Sequence, residues 1–287
     1  MAYVTETYAS NVDGAGTNLT WNRYTPLTGG PTWPAAVVIH GGGFNKGGVG
    51  PYFVAQDLAA AGFLAFAIQY RLAPPHTAFP GQVDPPSDGR PPQQTDDVRA
   101  AIRAARADSH CNGKVVVAGF SCGGTHGAWW NINGTDNDDR PDALVSCSGV
   151  FDLDNTDLLA VAQYKSNVEN YINHLYTEGA AFHTAAQAAS PYDLTIGTTP
   201  KPMLLFHSTD EVPSSEFSTM VTKMTNAGGT VESHLRTGTE HADAYWYLSY
   251  GGSFPTVKDC SIDFLQRMLS ITAPPVVGPA SIIVRRK

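Results

Sequence analysis

Gly119-Phe120-Ser121-Cys122-Gly123 sets a serine between two glycines, with one residue intervening on either side. A nucleophile on a sharp turn from a strand into a helix needs small neighbours there, because the backbone is strained and crowded. The run Val115-Val116-Val117-Ala118 before it reads as a buried strand, and Gly123 to Asn131 reads as the helix after it. An ordinary Gly-rich turn would fit the five residues alone, but that setting favours a nucleophile. Attack of Ser121 Oγ on a carbonyl creates an oxyanion, which backbone N–H groups must hold. His40-Gly41-Gly42-Gly43-Phe44 ends another apolar run, where consecutive glycines let the main chain come close. The N–H groups of Gly42, Gly43 and Cys122 are the candidate donors, and His40 reads as structural.

A serine hydroxyl also needs a base, and the base an acid that orients it. Met203-Leu204-Leu205-Phe206 reads as a strand that delivers Asp210 and Glu211 just past its end, and His241 follows the next strand. Asp210 is the expected acid because its side chain is shorter and it lies nearer the strand end, with Glu211 as the alternative. Among the other histidines, His126 lies one turn into the helix after Ser121 and is the rival base. Phe44, Trp129 and Trp246 lie in sequence beside these segments and are candidates for a substrate pocket rich in aromatic rings, although each could instead be a core residue.

The elements that must position these groups follow from hydrophobic pattern. Tyr3 to Tyr8 and Leu19 to Tyr24 read as an opening pair of strands, followed by Ala35 to Ile39, Phe63 to Tyr70, Lys114 to Gly119, Ala143 to Gly149, Met203 to His207 and Thr230 to Thr237. Helices are expected over Tyr52–Ala61, from a Thr95 cap through Ala105, and over Glu216–Ala227 and Lys258–Ile271. Strands separated by crossover helices make a mainly parallel sheet with helices on both faces, so the fold class is α/β. Residues 1–272 are expected to form one domain and 273–287 a tail. The Pro-rich segment 73–94 and the segment 152–199 interrupt the rhythm at the carboxyl edge of the sheet and are expected to wall a site. Pro75 to Arg90 is expected to set which substrates enter, or else to be a bare insertion.

Composition narrows the function classes. The 287 residues carry 18 Lys and Arg against 26 Asp and Glu, for a net charge of -8. That balance argues against binding to a phosphate backbone or anionic lipid. The longest apolar stretches, such as Ala59 to Ile68, are half of what a bilayer crossing requires. Cys111, Cys122, Cys147 and Cys260 follow no zinc-ligand spacing, and their pairing is open. The first twenty residues lack the features of a signal peptide, so the chain is expected in the cytoplasm unless a leader has been removed from it.

With these motifs the chain resembles the α/β-hydrolase carboxylesterases related to hormone-sensitive lipase, and within them the bacterial feruloyl-esterase-like branch. The resemblance covers residues 34–269. It rests on His40 to Gly43, Tyr70-Arg71-Leu72-Ala73-Pro74, Asp97 to Ile102, Gly119 to Gly124, Ser148 to Leu153, Ser190-Pro191 and Asp210 to Pro213. The order Ser121, Asp210, His241 is the order in which that fold lays out nucleophile, acid and base. The resemblance implies hydrolysis of a small-molecule carboxylic ester through an acyl-enzyme, with aryl, hydroxycinnamoyl or short acyl groups as substrates and with no metal or organic cofactor. An arylformamidase-type amidase shares these motifs and is the alternative. A hydrolase-like binding protein without turnover is a third reading.

Overall fold

The computed structural model describes residues 2–49, 52–78, 88–250 and 255–271. Strand β3 (Trp33–Ile39) buries six of its seven residues. It is covered on both faces, and so its sequence is a continuous apolar run with no alternation. Eight strands form one sheet in the order β1 (Val4–Ala9), β2 (Leu19–Tyr24), β5 (Leu64–Ile68), β3, β7 (Cys111–Phe120), β8 (Ala143–Cys147), β9 (Met203–Ser208), β10 (Val231–Arg236). The pairs from β5 to β10 are parallel, whereas β1–β2 and β2–β5 are antiparallel. The two short strands β4 (Lys46–Gly47) and β6 (Thr77–Ala78) pair with each other outside this sheet.

Helices cover both faces. On one, α1 (Tyr52–Ala60) and α8 (Val257–Met268) bury Val54, Leu58, Phe264 and Leu265 against Val38, Ala65 and Val116. On the other, α2 (Gln93–Ala107), α3 (Cys122–Asn133) and α7 (Ser214–Asn226) bury Val98, Ile102, Ala128, Met220 and Met224 against Val37, Phe66 and Val117. The crossovers between parallel strands require this arrangement, with every active-site loop leaving the carboxyl edge. Residues 152–199 hold no strand. They form α4 (Thr156–Ala160), α5 (Ala162–Ile172) and α6 (Ala180–Ala189), packed together around Leu158, Val168, Tyr171 and Phe182. Helix α6 escapes the sequence pattern because its buried face is Phe182, Ala186 and Ala189, and two of the three are alanine.

One expectation changes. Thr95 does not cap α2: the helix begins at Gln93 behind Pro92, and Thr95 Oγ1 donates to the Pro92 carbonyl at 2.7 Å. The helix thus starts two residues before Thr95, which lies inside its first turn. Asp97 serves tertiary structure instead, accepting from Arg71 N, Nε and Nη2 at 2.7–3.2 Å and so tying the segment after β5 to α2. The proposed wall Pro75 to Arg90 falls largely, and the tail 273–287 wholly, outside the described residues. No helix among the described residues is long and apolar enough to cross a membrane.

The loop after β8 is anchored by a buried acid. Glu216, in the first turn of α7, accepts from Phe151 N at 2.8 Å and from Asp152 N at 2.9 Å, while its Oε1 is buried with no partner. Burial raises its pKa from 4.5 to about 8 against the lowering pull of those two N–H groups. A carboxyl whose folded pKa lies above its unfolded value stabilises fully below 4.5, and that contribution is lost as pH rises toward 8. Denaturant unfolding of Glu216→Gln, followed against pH, should therefore lack this loss. The wild type should lose stability relative to the variant across the window from about pH 4.5 to about pH 8.

Candidate active site

β7 runs straight into α3, and Ser121 is the single residue between them. Its backbone sits at φ 52, ψ −125, a conformation that costs a non-glycine residue about 1–3 kcal/mol. The turn is held by Ser121 N donating to Cys147 O and Gly124 N donating to Ser121 O, both at 2.8 Å. A Cβ at position 123 would lie 2.4 Å from Ile39 O, and one at position 119 would lie 2.4 Å from Gly123 O. Only glycine lets strand, turn and helix crowd together in this way.

Ser121 Oγ lies 2.9 Å from His241 Nε2, and His241 Nδ1 lies 2.6 Å from Glu211 Oε2. The carboxylate that meets His241 is thus Glu211 and not Asp210. β9 ends at Ser208, and the chain turns outward at Thr209 and Asp210, both exposed. Asp210 accepts from its neighbour Thr209 Oγ1 at 3.1 Å. Glu211, one residue on and one methylene longer, folds back beneath the imidazole with its side chain only 2% exposed. Its carboxylate accepts from Ser208 N at 2.7 Å and from Ser148 Oγ at 2.8 Å. Ser148 Oγ in turn accepts from Ala242 N at 2.8 Å and lies 2.7 Å from Tyr245 Oη. Neither Ser148 nor Tyr245 carries a signal for this role in the linear sequence: Ser148 opens the segment Ser148 to Leu153, but nothing there says that it reaches a carboxylate 63 residues away.

Gly42, Gly43 and Cys122 line one cavity with Ser121 and His241. Cys122 is the first residue of α3, so its N–H has no intrahelical acceptor. The cavity measures about 330 Å³, and its other walls are Phe44, Val150, Leu158, Gln163, Tyr164, Asn167 and Val168. Most of that wall comes from α4 and α5 and carries no motif.

The expected aromatic pocket is corrected. Trp246 is fully buried in the core, with Nε1 donating to Asp57 Oδ2 at 2.9 Å. Trp129 lines a different cavity with Pro91, Pro92 and Ala185. A helix rotates successive residues by 100°, so closeness in sequence to Ser121 did not bring Trp129 into the site. Phe44 does line the cavity, though it is 3% exposed and stacks on Tyr171 with ring centroids 4.0 Å apart.

His126 hydrogen-bonds to Gln94 and not to Ser121. It lies buried beneath Phe44 with Nε2 3.1 Å from Gln94 Oε1, and burial lowers its pKa to about 3. Gln94 Nε2 donates to both Phe44 O and Gly89 O at 2.7 Å, pinning the glycine loop from below. His40 stacks on Tyr70 with centroids 4.3 Å apart, and burial lowers its pKa to about 4. All four cysteines are free thiols. Among the described residues no group of three or more His, Cys, Asp or Glu is arranged to hold a metal ion.

Similarity to known proteins agrees with this architecture. The chain resembles the thermophilic esterase 2 of the planctomycete Thermogutta terrifontis, with a TM-score of 0.68 and 21% identity over 96% of this chain and 95% of that one. The form of that esterase phosphorylated by paraoxon aligns at a TM-score of 0.66 and 21% identity, covering 95% of this chain and 96% of the other. An acetyl ester-xyloside bifunctional hydrolase from Caldicellulosiruptor lactoaceticus aligns at 0.66 and 17% identity over 90% of each chain. No curated protein matches the chain. Residues 36–244 match the family described as alpha/beta hydrolase fold, a span from β3 to just past His241, and the chain belongs to that family.

Proposed function

We propose that the protein is a serine esterase that cleaves small carboxylic esters through an acyl-enzyme. The observation that carries this reading is the hydrogen-bonded series Ser121–His241–Glu211 on the floor of a cavity. In it His241 Nε2 takes the Ser121 proton as Oγ attacks the ester carbonyl. Glu211 holds the Nδ1–H tautomer and stabilises the imidazolium that forms. The N–H groups of Gly42, Gly43 and Cys122 hold the oxyanion, at the N-terminus of α3 where the helix dipole favours negative charge. His241 then protonates the leaving alcohol, and next activates the water that releases the acid. Helices α4 and α5 act as the cap that keeps bulk water from the acyl-enzyme.

Short acyl groups suit the cavity better than hydroxycinnamoyl groups. About 330 Å³ lies at the small end for ligand sites, and the two tryptophans expected to receive a flat aryl ring are elsewhere. The neighbouring Thermogutta esterase has been observed with propionate and with butyrate bound, which supports the same reading.

Mutation separates the roles. Ser121→Ala should lower turnover of p-nitrophenyl acetate by about 10⁴-fold or more and abolish phosphorylation by paraoxon. Glu211→Gln should cost on the order of 10⁴-fold in kcat, whereas Asp210→Asn should stay within a few-fold of wild type. The reverse ranking of the two acid variants would return the acid role to Asp210.

Specificity is read with p-nitrophenyl esters from acetyl to octanoyl, run beside methyl ferulate and an aryl formamide. Turnover should peak at two to four acyl carbons. A peak on methyl ferulate would restore the hydroxycinnamoyl reading, and a peak on the formamide would point to an amidase.

A further inference from the structure

Helix α5 presents one polar row to a largely apolar cavity wall. Gln163 and Asn167 stand one helical turn apart, and both line the cavity between Val150, Leu158 and Val168. Gln163 Nε2 donates to Asn167 Oδ1 at 3.1 Å, which engages the carbonyl and leaves Asn167 Nδ2 with its donors to spare. Among the described residues Asn167 makes no other side-chain hydrogen bond. It is half-buried, and its seat is built: a Cβ on Gly43 would lie 2.6 Å from Nδ2, so the amide occupies the space that a side chain at 43 would take. Gly43 has φ +59, so glycine serves both the loop and this contact. The spare N–H groups therefore stand beside Gly43, which lines the same cavity as Ser121.

Resting on the reading of Ser121 as nucleophile, we infer that the Gln163–Asn167 pair determines specificity, and that it selects esters carrying an acceptor oxygen, a hydroxyl or an ether, within a few atoms of the scissile carbonyl. A purely hydrocarbon group of the same shape fills the cavity but leaves the Asn167 N–H groups facing carbon. Such unmade hydrogen bonds are what discriminate between isosteric substrates. Acylated polyols and esters of oxygenated short acids have the required chemistry.

The test uses two isosteric pairs in which one methylene becomes an ether oxygen. p-Nitrophenyl methoxyacetate against p-nitrophenyl butyrate probes the acyl side, and 2-methoxyethyl acetate against butyl acetate probes the alcohol side. In each pair the ratio of kcat/KM, ether to alkyl, is measured for wild type and for Asn167→Leu. Comparing the two proteins cancels the intrinsic reactivity of the ether ester. Paraoxon titration counts competent sites, so a misfolded fraction does not enter the ratio. The ratio should fall about tenfold in Asn167→Leu for at least one pair, and by less in Gln163→Leu, where the Asn167 donors remain. Ratios within twofold of wild type in both pairs would overturn the inference while leaving the esterase reading intact. A wild type that turns over none of the four esters and does not react with paraoxon would overturn both.

Discussion

The site depends on one strained residue. Ser121 is held at positive φ between β7 and α3, and that conformation persists only because the structure around it admits nothing else. Its amide is tied to the end of β8, its carbonyl begins α3, and the glycines at 119 and 123 bring backbone against backbone. Position 123 also packs on the carbonyls of Ile39 and His40, so the glycine loop that follows β3 is fixed against the same turn. Ser121 and the glycine loop thus share one corner at the centre of the sheet, where β3 and β7 are neighbours. That corner is held by the two central strands, by the end of β8 through Ser121 N and by Gln94 beneath the loop.

A buried carboxylate supplies the second fixed point. Glu211 is taken out of water, and a charge so placed must be paired and hydrogen-bonded. Ser208 N, Ser148 Oγ and His241 Nδ1 provide those partners from β9, from the loop after β8 and from the loop after β10. The requirement to satisfy one acid therefore registers three adjacent strand ends against each other, and His241 arrives over Ser121 as a consequence. Tyr245, reaching Ser148 Oγ at 2.7 Å and Phe206 O at 2.9 Å, closes the network from beneath.

The wall of the cavity is made differently. Helices α4 to α6 form their own small apolar cluster around Leu158, Tyr171 and Phe182 and meet the glycine loop through Phe44. Gln94 holds that loop from the opposite side by bonding Phe44 O and Gly89 O. The corner accordingly belongs to the sheet, while most of the cavity wall comes from helices α4 and α5.

The sequence by itself determined the α/β class, the eight strands of the main sheet in chain order, the Ser121 turn, the glycine loop and His241. Each of these is a local pattern: an apolar run that ends in glycine, or a small-residue spacing that a strained turn requires. The mainly parallel succession is likewise written in the crossover helices. Tertiary structure alone decided between Asp210 and Glu211, because that choice turns on which side of a three-residue turn faces the imidazole. It also removed Trp129 and Trp246 from the pocket and brought Leu158, Gln163 and Asn167 into it. Pocket membership depends on the direction in which a helix face points after packing, and adjacency along the chain carries no information about that direction.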